Sequence, residues 1–214
     1  MAITAQQVKD LREATGAGPL DCKKALEAND GDFKKSIDFL REKGLSKAAK
    51  KLSAGRTMNE GTVGMYQHYN QRVAVIVEVD CETDFVANTD RFRGFARDLA
   101  LHIANLAPEY VRREDVPAAV VEAEAAIQKR RYDEENSGKK EKPADVVEKI
   151  VNGRMDKFYE EIVLMEQTFL KDESKTIAQL FGELVAEVGE SCEIRRFARF
   201  AIGDVTDADQ SADA

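Results

Sequence analysis

Between residues 61 and 80 the apolar side chains stop recurring at helical spacing and begin to recur at every second position, which restricts the folds open to the chain. Val73, Val75, Val77 and Val79 alternate with their neighbours, so a strand would send all four to one face. Val63, Met65 and Gln67 alternate before them, with Asn70-Gln71 at the turn between. The segment reads as a β-hairpin whose second strand is the more buried. Cys192–Ile202 alternates again as a closing strand: Ile194, Ala198, Phe200 and Ile202, with Arg196, stand against Glu193, Arg195, Phe197 and Arg199. The expected fold class is α+β: a small antiparallel sheet packed by helices.

Helical patterns flank these strands. Thr4-Ala-Gln-Gln7 is a capping box that opens a helix carrying Val8 and Leu11, with Gly16 as its left-handed stop. Pro19 suits the first turn of a second helix, whose apolar side is Leu20, Cys22, Ala25 and Leu26. Asn29-Asp30-Gly31 is a turn, and Asp32 caps a third helix with Phe33, Ile37 and Leu40 that ends at Gly44. A separate Lys-rich piece follows at 46–52, then a linker at Ser53-Ala-Gly-Arg56. Three short helices of this length bury a marginal core. After the hairpin, Asn88 or Thr89 caps a helix with Phe92, Phe95, Ala96, Leu99, Ile103 and Leu106 on one face, stopped by Pro108. Two charged helices, about Asp115–Asn136 and Ala144–Leu164 with a polar break at Ser137–Pro143, cannot both be buried and are expected to form a helical hairpin over about 116–165 that projects from the core or lies against a partner. A last helix spans about 177–188 and ends at Gly189. The expected organisation is a three-helix domain at 1–53, an α+β core at 54–203, and an acidic disordered tail at 204–214.

Charge and chemistry narrow the function. The net charge is −8, which disfavours a nucleic-acid binder needing a basic footprint. Residues 1–51 hold 11 basic and 8 acidic groups, a local +3 against −11 for the remainder. That contrast is either a solvated face or a surface for an acidic partner. Cys22, Cys81 and Cys192 are scattered, with no CxxC and no nearby His pair, so zinc and other metals are not expected. No apolar stretch approaches a membrane span, and free thiols fit a reducing cytoplasm. His68, read in a strand, and His102, read on a helix, are expected to be structural. Thr15-Gly-Ala-Gly-Pro19 lies between helices, so it reads as a tight turn and not a phosphate loop. No catalytic set and no cofactor are expected.

Two segments carry a resemblance. Leu11-Arg-Glu-Ala-Thr-Gly-Ala-Gly-Pro-Leu-Asp-Cys-Lys-Lys-Ala-Leu26, with Asp30-Gly-Asp32 and Leu40-Arg-Glu-Lys-Gly44, resembles the N-terminal domain of the bacterial elongation factor Ts family. Thr83-Asp-Phe-Val-Ala-Asn88, following the valine-rich strand, matches that family's TDFVA signature. Glu148-Lys-Ile-Val-Asn-Gly-Arg154, Lys157-Phe158 and Ile194-Arg-Arg-Phe197 follow in family order. The resemblance covers nearly all the chain up to Gly203. It implies nucleotide exchange on the GTPase elongation factor Tu, with loss of its Mg²⁺ and release of GDP, and with no covalent catalysis. Thr83, Asp84, Phe85 and Val86 are implied as the loop that acts on the GTPase. Leu11, Gly18, Pro19 and Leu20 are implied as docking residues of the N-terminal, ubiquitin-associated-like domain. For Leu11 and Phe85, burial in the chain's own core is the competing reading. Pro19-Leu20 stands where many members have two bulkier apolar residues, so a weaker or differently shaped contact is expected there. The chain resembles the short form, with one core half, which implies a homodimer; Cys192 near a sheet edge could approach its symmetry mate in a disulfide, against the alternative of a buried thiol. Two rivals need no exchange activity: a general helix-binding module with an inert TDF loop, and an enzyme using Asp84, Glu78 and His68, for which no spacing supports a base–nucleophile pair.

Overall fold

Local signals at the N-terminus explain where its helices begin. The computed structural model describes residues 3–15, 17–52, 58–137 and 142–204. The stop at Gly16, the linker at Ser53–Arg56, most of the break at 137–143 and the tail beyond Asp204 lie outside these residues. Helix α1 (Ala5–Thr15) opens through both arms of the capping box. The Thr4 N–H donates to Gln7 Oε1 at 2.9 Å, and the Gln7 N–H donates to Thr4 Oγ1 at 3.2 Å. Helix α2 (Pro19–Ala28) starts with proline at its first position. Asp30 and Gly31 then take φ of 53° and 83°, and the Gly31 N–H closes the turn on Leu26 O at 2.8 Å. Asp32 Oδ1 accepts the Lys35 N–H at 3.0 Å at the head of α3 (Phe33–Leu52).

Leu11, Cys22, Ala25, Leu26 and Leu40 form the core of these three helices, with Ile3, Val8 and Ile37 packed against it. Two expectations change here. Leu20 is not on the packed side of α2; it is 65% exposed. Helix α3 does not end at Gly44 but continues to Leu52, absorbing the piece read as separate. A Cβ on Gly44 would stand 3.2 Å from Ala186 Cβ, so this glycine permits close approach and does not stop the helix.

Strand β1 (Glu60–Gln67) and β2 (Val73–Cys81) form the hairpin, with Gln71 in the left-handed region at the turn. His68 lies in that turn and not in the strand; its Nδ1 is 2.9 Å from Tyr66 Oη. Val75, Val77 and Val79 are buried, as alternation requires. In β1, the less buried strand as expected, the large apolar residues face outward. Val63 and Met65 are 58% and 69% exposed, and Gly64 is the buried residue. The cause is a close approach: a Cβ on Gly64 would lie 2.2 Å from Ala96 O. With successive side chains on opposite faces, the neighbours of Gly64 must point outward.

Helix α4 (Asp84–Ala87) is a single turn, and α5 (Asp90–Leu106) follows, with the Phe92 N–H donating to Thr89 Oγ1 at 3.2 Å. Phe92, Phe95, Ala96, Leu99 and Ile103 are buried, whereas Leu106 is 41% exposed. Helices α6 (Ala118–Glu135) and α7 (Ala144–Ile162) pair as expected, joined by Arg154 to Glu135 at 2.6 Å. Among their described residues, Tyr132 and Met155 are the buried ones. A second hairpin, β3 (Thr168–Phe169) and β4 (Asp172–Thr176), has no alternation to announce it. His102 secures it: Nδ1 accepts the Leu170 N–H at 3.3 Å, so Nε2 carries the proton facing Gln167 Oε1 at 3.0 Å. Burial holds this histidine below its usual pKa, against the hydrogen bond it donates to Gln167.

Helix α8 (Ile177–Val188) ends at Gly189, φ 75°, and β5 (Cys192–Ala201) closes the chain. The main sheet has order β1-β2-β5. Ile194 is buried as expected, but Phe200 and Ile202 are 69% and 64% exposed. The fold is α+β. Compactness divides the chain into residues 1–62, 79–95 and 179–194 as one unit, and 63–78, 96–178 and 195–214 as another. In the first, Arg41 pairs with Glu183 at 3.1 Å and Phe95 meets Phe181 with ring centres 5.8 Å apart.

Candidate functional site

Strand β2 runs into a turn that displays one aromatic ring. Asp84–Ala87 is too short to be helical on its own propensity, so its neighbours must hold it. Thr83 is its N-cap: Oγ1 accepts the Val86 N–H at 3.4 Å. At the other end Asn88 Nδ2 donates to Asp84 O at 2.8 Å, and Arg93 holds the Asn88 side-chain oxygen. Val86 and Ala87 point inward and are 8% and 6% exposed. Phe85, between them and Asp84, is 82% exposed. The segment expected as a loop is thus a braced helical turn with its small apolar residues inside and its large one outside. That inverts the ordinary burial order, since phenylalanine is among the side chains most often buried.

The brace extends across the chain. Glu190 Oε2 accepts the Thr83 N–H at 3.1 Å, and Glu190 Oε1 accepts the Thr83 hydroxyl at 2.6 Å. In return the Ser191 N–H donates to Glu82 Oε1 at 2.8 Å. Cys81 lies beneath, its thiol donating to Thr83 O at 3.2 Å. Burial, and next the Glu190 charge, push this thiol up to about 11. Sequence marks neither Glu82 nor Glu190, because no local pattern links residues 107 apart.

The four residues expected to dock separate. Gly18, Pro19 and Leu20 are exposed at the head of α2, and nothing lies within 4 Å of a Cβ placed on Gly18. Leu11 has no exposed surface and belongs to the three-helix core, as its competing reading had it. The residues of the enzyme reading have other employment. Glu78 pairs with Arg196 at 2.5 Å, and His68 with Tyr66. Among the described residues no group of His, Cys, Asp or Glu is placed to hold a metal ion, and no helix is long and apolar enough to cross a membrane. Cys22, Cys81 and Cys192 are all buried thiols, and Cys192 is 0% exposed. A disulfide between copies through Cys192 would require the start of β5 to open.

The family model described as elongation factor TS matches residues 5–204. The elongation factor Ts of Citrifermentans bemidjiense is 52% identical over 204 residues, covering 95% of this chain and 91% of that protein. Those of Carboxydothermus hydrogenoformans and Caldanaerobacter subterraneus are 54% and 52% identical over 202 residues, covering 94% of this chain and 90% and 98% of those proteins. Near-complete coverage in both directions, at half the positions identical, means that the chain is a member of the elongation factor Ts family.

Proposed function

We propose that the chain is a guanine-nucleotide exchange factor for elongation factor Tu, acting in polypeptide elongation in the cytoplasm by insertion of the Asp84–Phe85 turn. The observation that supports this most is Phe85, 82% exposed on a turn braced at both ends. A GTPase holds GDP through phosphate-loop amides and Mg²⁺. A factor that favours the nucleotide-free form weakens nucleotide binding by the factor by which nucleotide weakens its own. Phe85 supplies a rigid apolar wedge that can force neighbouring elements of the GTPase apart. Asp84 supplies a carboxylate for a charged hydrogen bond at the same place. Gly18, Pro19 and Leu20 dock on the GTPase while the turn acts. No covalent step and no cofactor of the chain's own is involved.

The working species in this reading is a homodimer. Val63, Met65, Ile76, Phe200 and Ile202 are exposed on or beside strands of the main sheet, with Ile76 at 47% and the others higher. A second copy would cover apolar surface that a monomer leaves in water.

Release of fluorescent GDP from purified elongation factor Tu tests the reading. Burying the Phe85 ring in a partner is worth about 2 kcal/mol, or about 30-fold in rate. The pair Asp84→Ala and Phe85→Ala should therefore lose most of the acceleration with unchanged thermal unfolding. A double variant as active as the parent would remove the turn from the mechanism.

A further inference from the structure

We infer that Glu190 is a positioning residue for exchange, its carboxylate holding Thr83 so that the adjoining turn presents Phe85. The inference rests on the exchange reading above. It begins from a geometric need: a helical turn of four residues must be held from outside. The cap is Thr83, yet the bond from Val86 N–H to Thr83 Oγ1 is long, at 3.4 Å. Something must keep the threonine hydroxyl aimed so that a lone pair faces Val86. Glu190 does this with both oxygens, taking the Thr83 N–H at 3.1 Å and its hydroxyl proton at 2.6 Å. Two donors from one residue captured by one carboxylate leave Thr83 no alternative rotamer that keeps both bonds.

The arrangement is reciprocal. Glu82, the neighbour of Thr83, accepts the N–H of Ser191, the neighbour of Glu190, at 2.8 Å. Each carboxylate crosses to the other segment's backbone. The end of β2 and the start of β5 are clasped immediately before Asp84 and Phe85. A glutamine at 190 keeps the shape and one acceptor oxygen; its NH₂ can face the threonine hydroxyl, which is able to turn and accept. Alanine keeps neither arm.

The test is a titration of GDP release from elongation factor Tu by the full chain carrying Glu190→Ala, Glu190→Gln or Phe85→Ala. A slack turn reduces the fraction of docked factor that is ready to insert. Glu190→Ala should therefore lower the plateau rate at saturating factor by about tenfold, the worth of a charge-assisted hydrogen bond. The half-saturating concentration should move by less than about twofold, since docking is untouched. A merely structural loss would remove folded protein, raising the concentration needed and leaving the plateau intact. Glu190→Gln should return the plateau to within about threefold of the parent. If Glu190→Ala fails to fold, Thr83→Val, which deletes the hydroxyl arm together with the cap on Val86 that it steadies, carries the same expectation for the plateau. A parental plateau in Glu190→Ala alongside a lost plateau in Phe85→Ala overturns this inference and leaves the exchange reading standing. A parental plateau in Phe85→Ala removes the ring from the mechanism and this inference with it, and no acceleration by the parent chain overturns the exchange reading itself. Glutamine no better than alanine overturns the hydrogen-bond account.

Discussion

Adding one methyl group at Gly64 and one at Gly94 should change stability in opposite directions. Both substitutions replace glycine by alanine inside regular structure, which lowers the backbone entropy of the unfolded chain and favours folding by about 0.5–1 kcal/mol. At Gly94, in α5, nothing lies within 4 Å of the new Cβ, so that gain should be realised in full. At Gly64 the new Cβ would meet Ala96 O at 2.2 Å and Ala96 C at 2.5 Å. These are backbone atoms of a helix and cannot rotate away, so strand and helix must separate. Overpacking of this kind costs about 1–3 kcal/mol, and overlap with backbone belongs at the upper end. The net expectation is a loss of about 2 kcal/mol for Gly64→Ala. For a chain of this size that lowers the melting temperature by roughly 4–8 °C. Gly94→Ala should raise it by about 2–3 °C. Urea unfolding monitored by far-ultraviolet circular dichroism, with the slope checked for constancy, measures both. Equal stability of Gly64→Ala and the parent would refute the close approach that sets the outward face of β1.

Three further outcomes are expected. His102 is held below 6.5 by burial, so the unfolded chain binds its proton first; stability should be full above about pH 6.5 and fall as pH drops toward the folded-state pKa, and unfolding free energies flat between about pH 7 and 5.5 would contradict the buried neutral ring. Leu20→Ala should leave the melting temperature unchanged, since the side chain is 65% exposed, and weaken binding to elongation factor Tu by roughly tenfold in titration calorimetry; unchanged affinity would remove it from the docking surface. Phe200→Glu should convert a homodimer to monomers in sedimentation equilibrium, and a parent already monomeric at micromolar concentration would end the dimer proposal.

Much of the architecture is legible in the sequence because its signals are local. The capping box at Thr4–Gln7, proline at the head of α2 and the valine alternation of β2 each involve residues within a few positions of one another. Legibility fails where an apolar pattern is consistent with two orientations. Alternation alone puts Val63 and Met65 on one face without saying which, and only the spacing between Gly64 and α5 decides that it is the outer one. Gly44 reads as a stop because glycine commonly ends helices, but here it makes room for Ala186. The short β3–β4 hairpin carries polar residues at most positions, so its order comes from His102 and Gln167 and not from periodicity. At the candidate site, Thr83–Val86 are marked by their resemblance to a signature. Their support from Glu190 is invisible, since a contact between distant segments leaves no trace in a single sequence.

That separation has a temporal consequence. Thr83 and Glu190 stand 107 residues apart, and closing so long a loop is a late and entropically costly event in folding. As the chain is synthesised from its N-terminus, the aromatic ring emerges well before the carboxylate that steadies its neighbour. A growing chain can complete its first three helices while the turn is still slack. The clasp on Thr83 can therefore form only after residue 190 has been synthesised, long after Phe85.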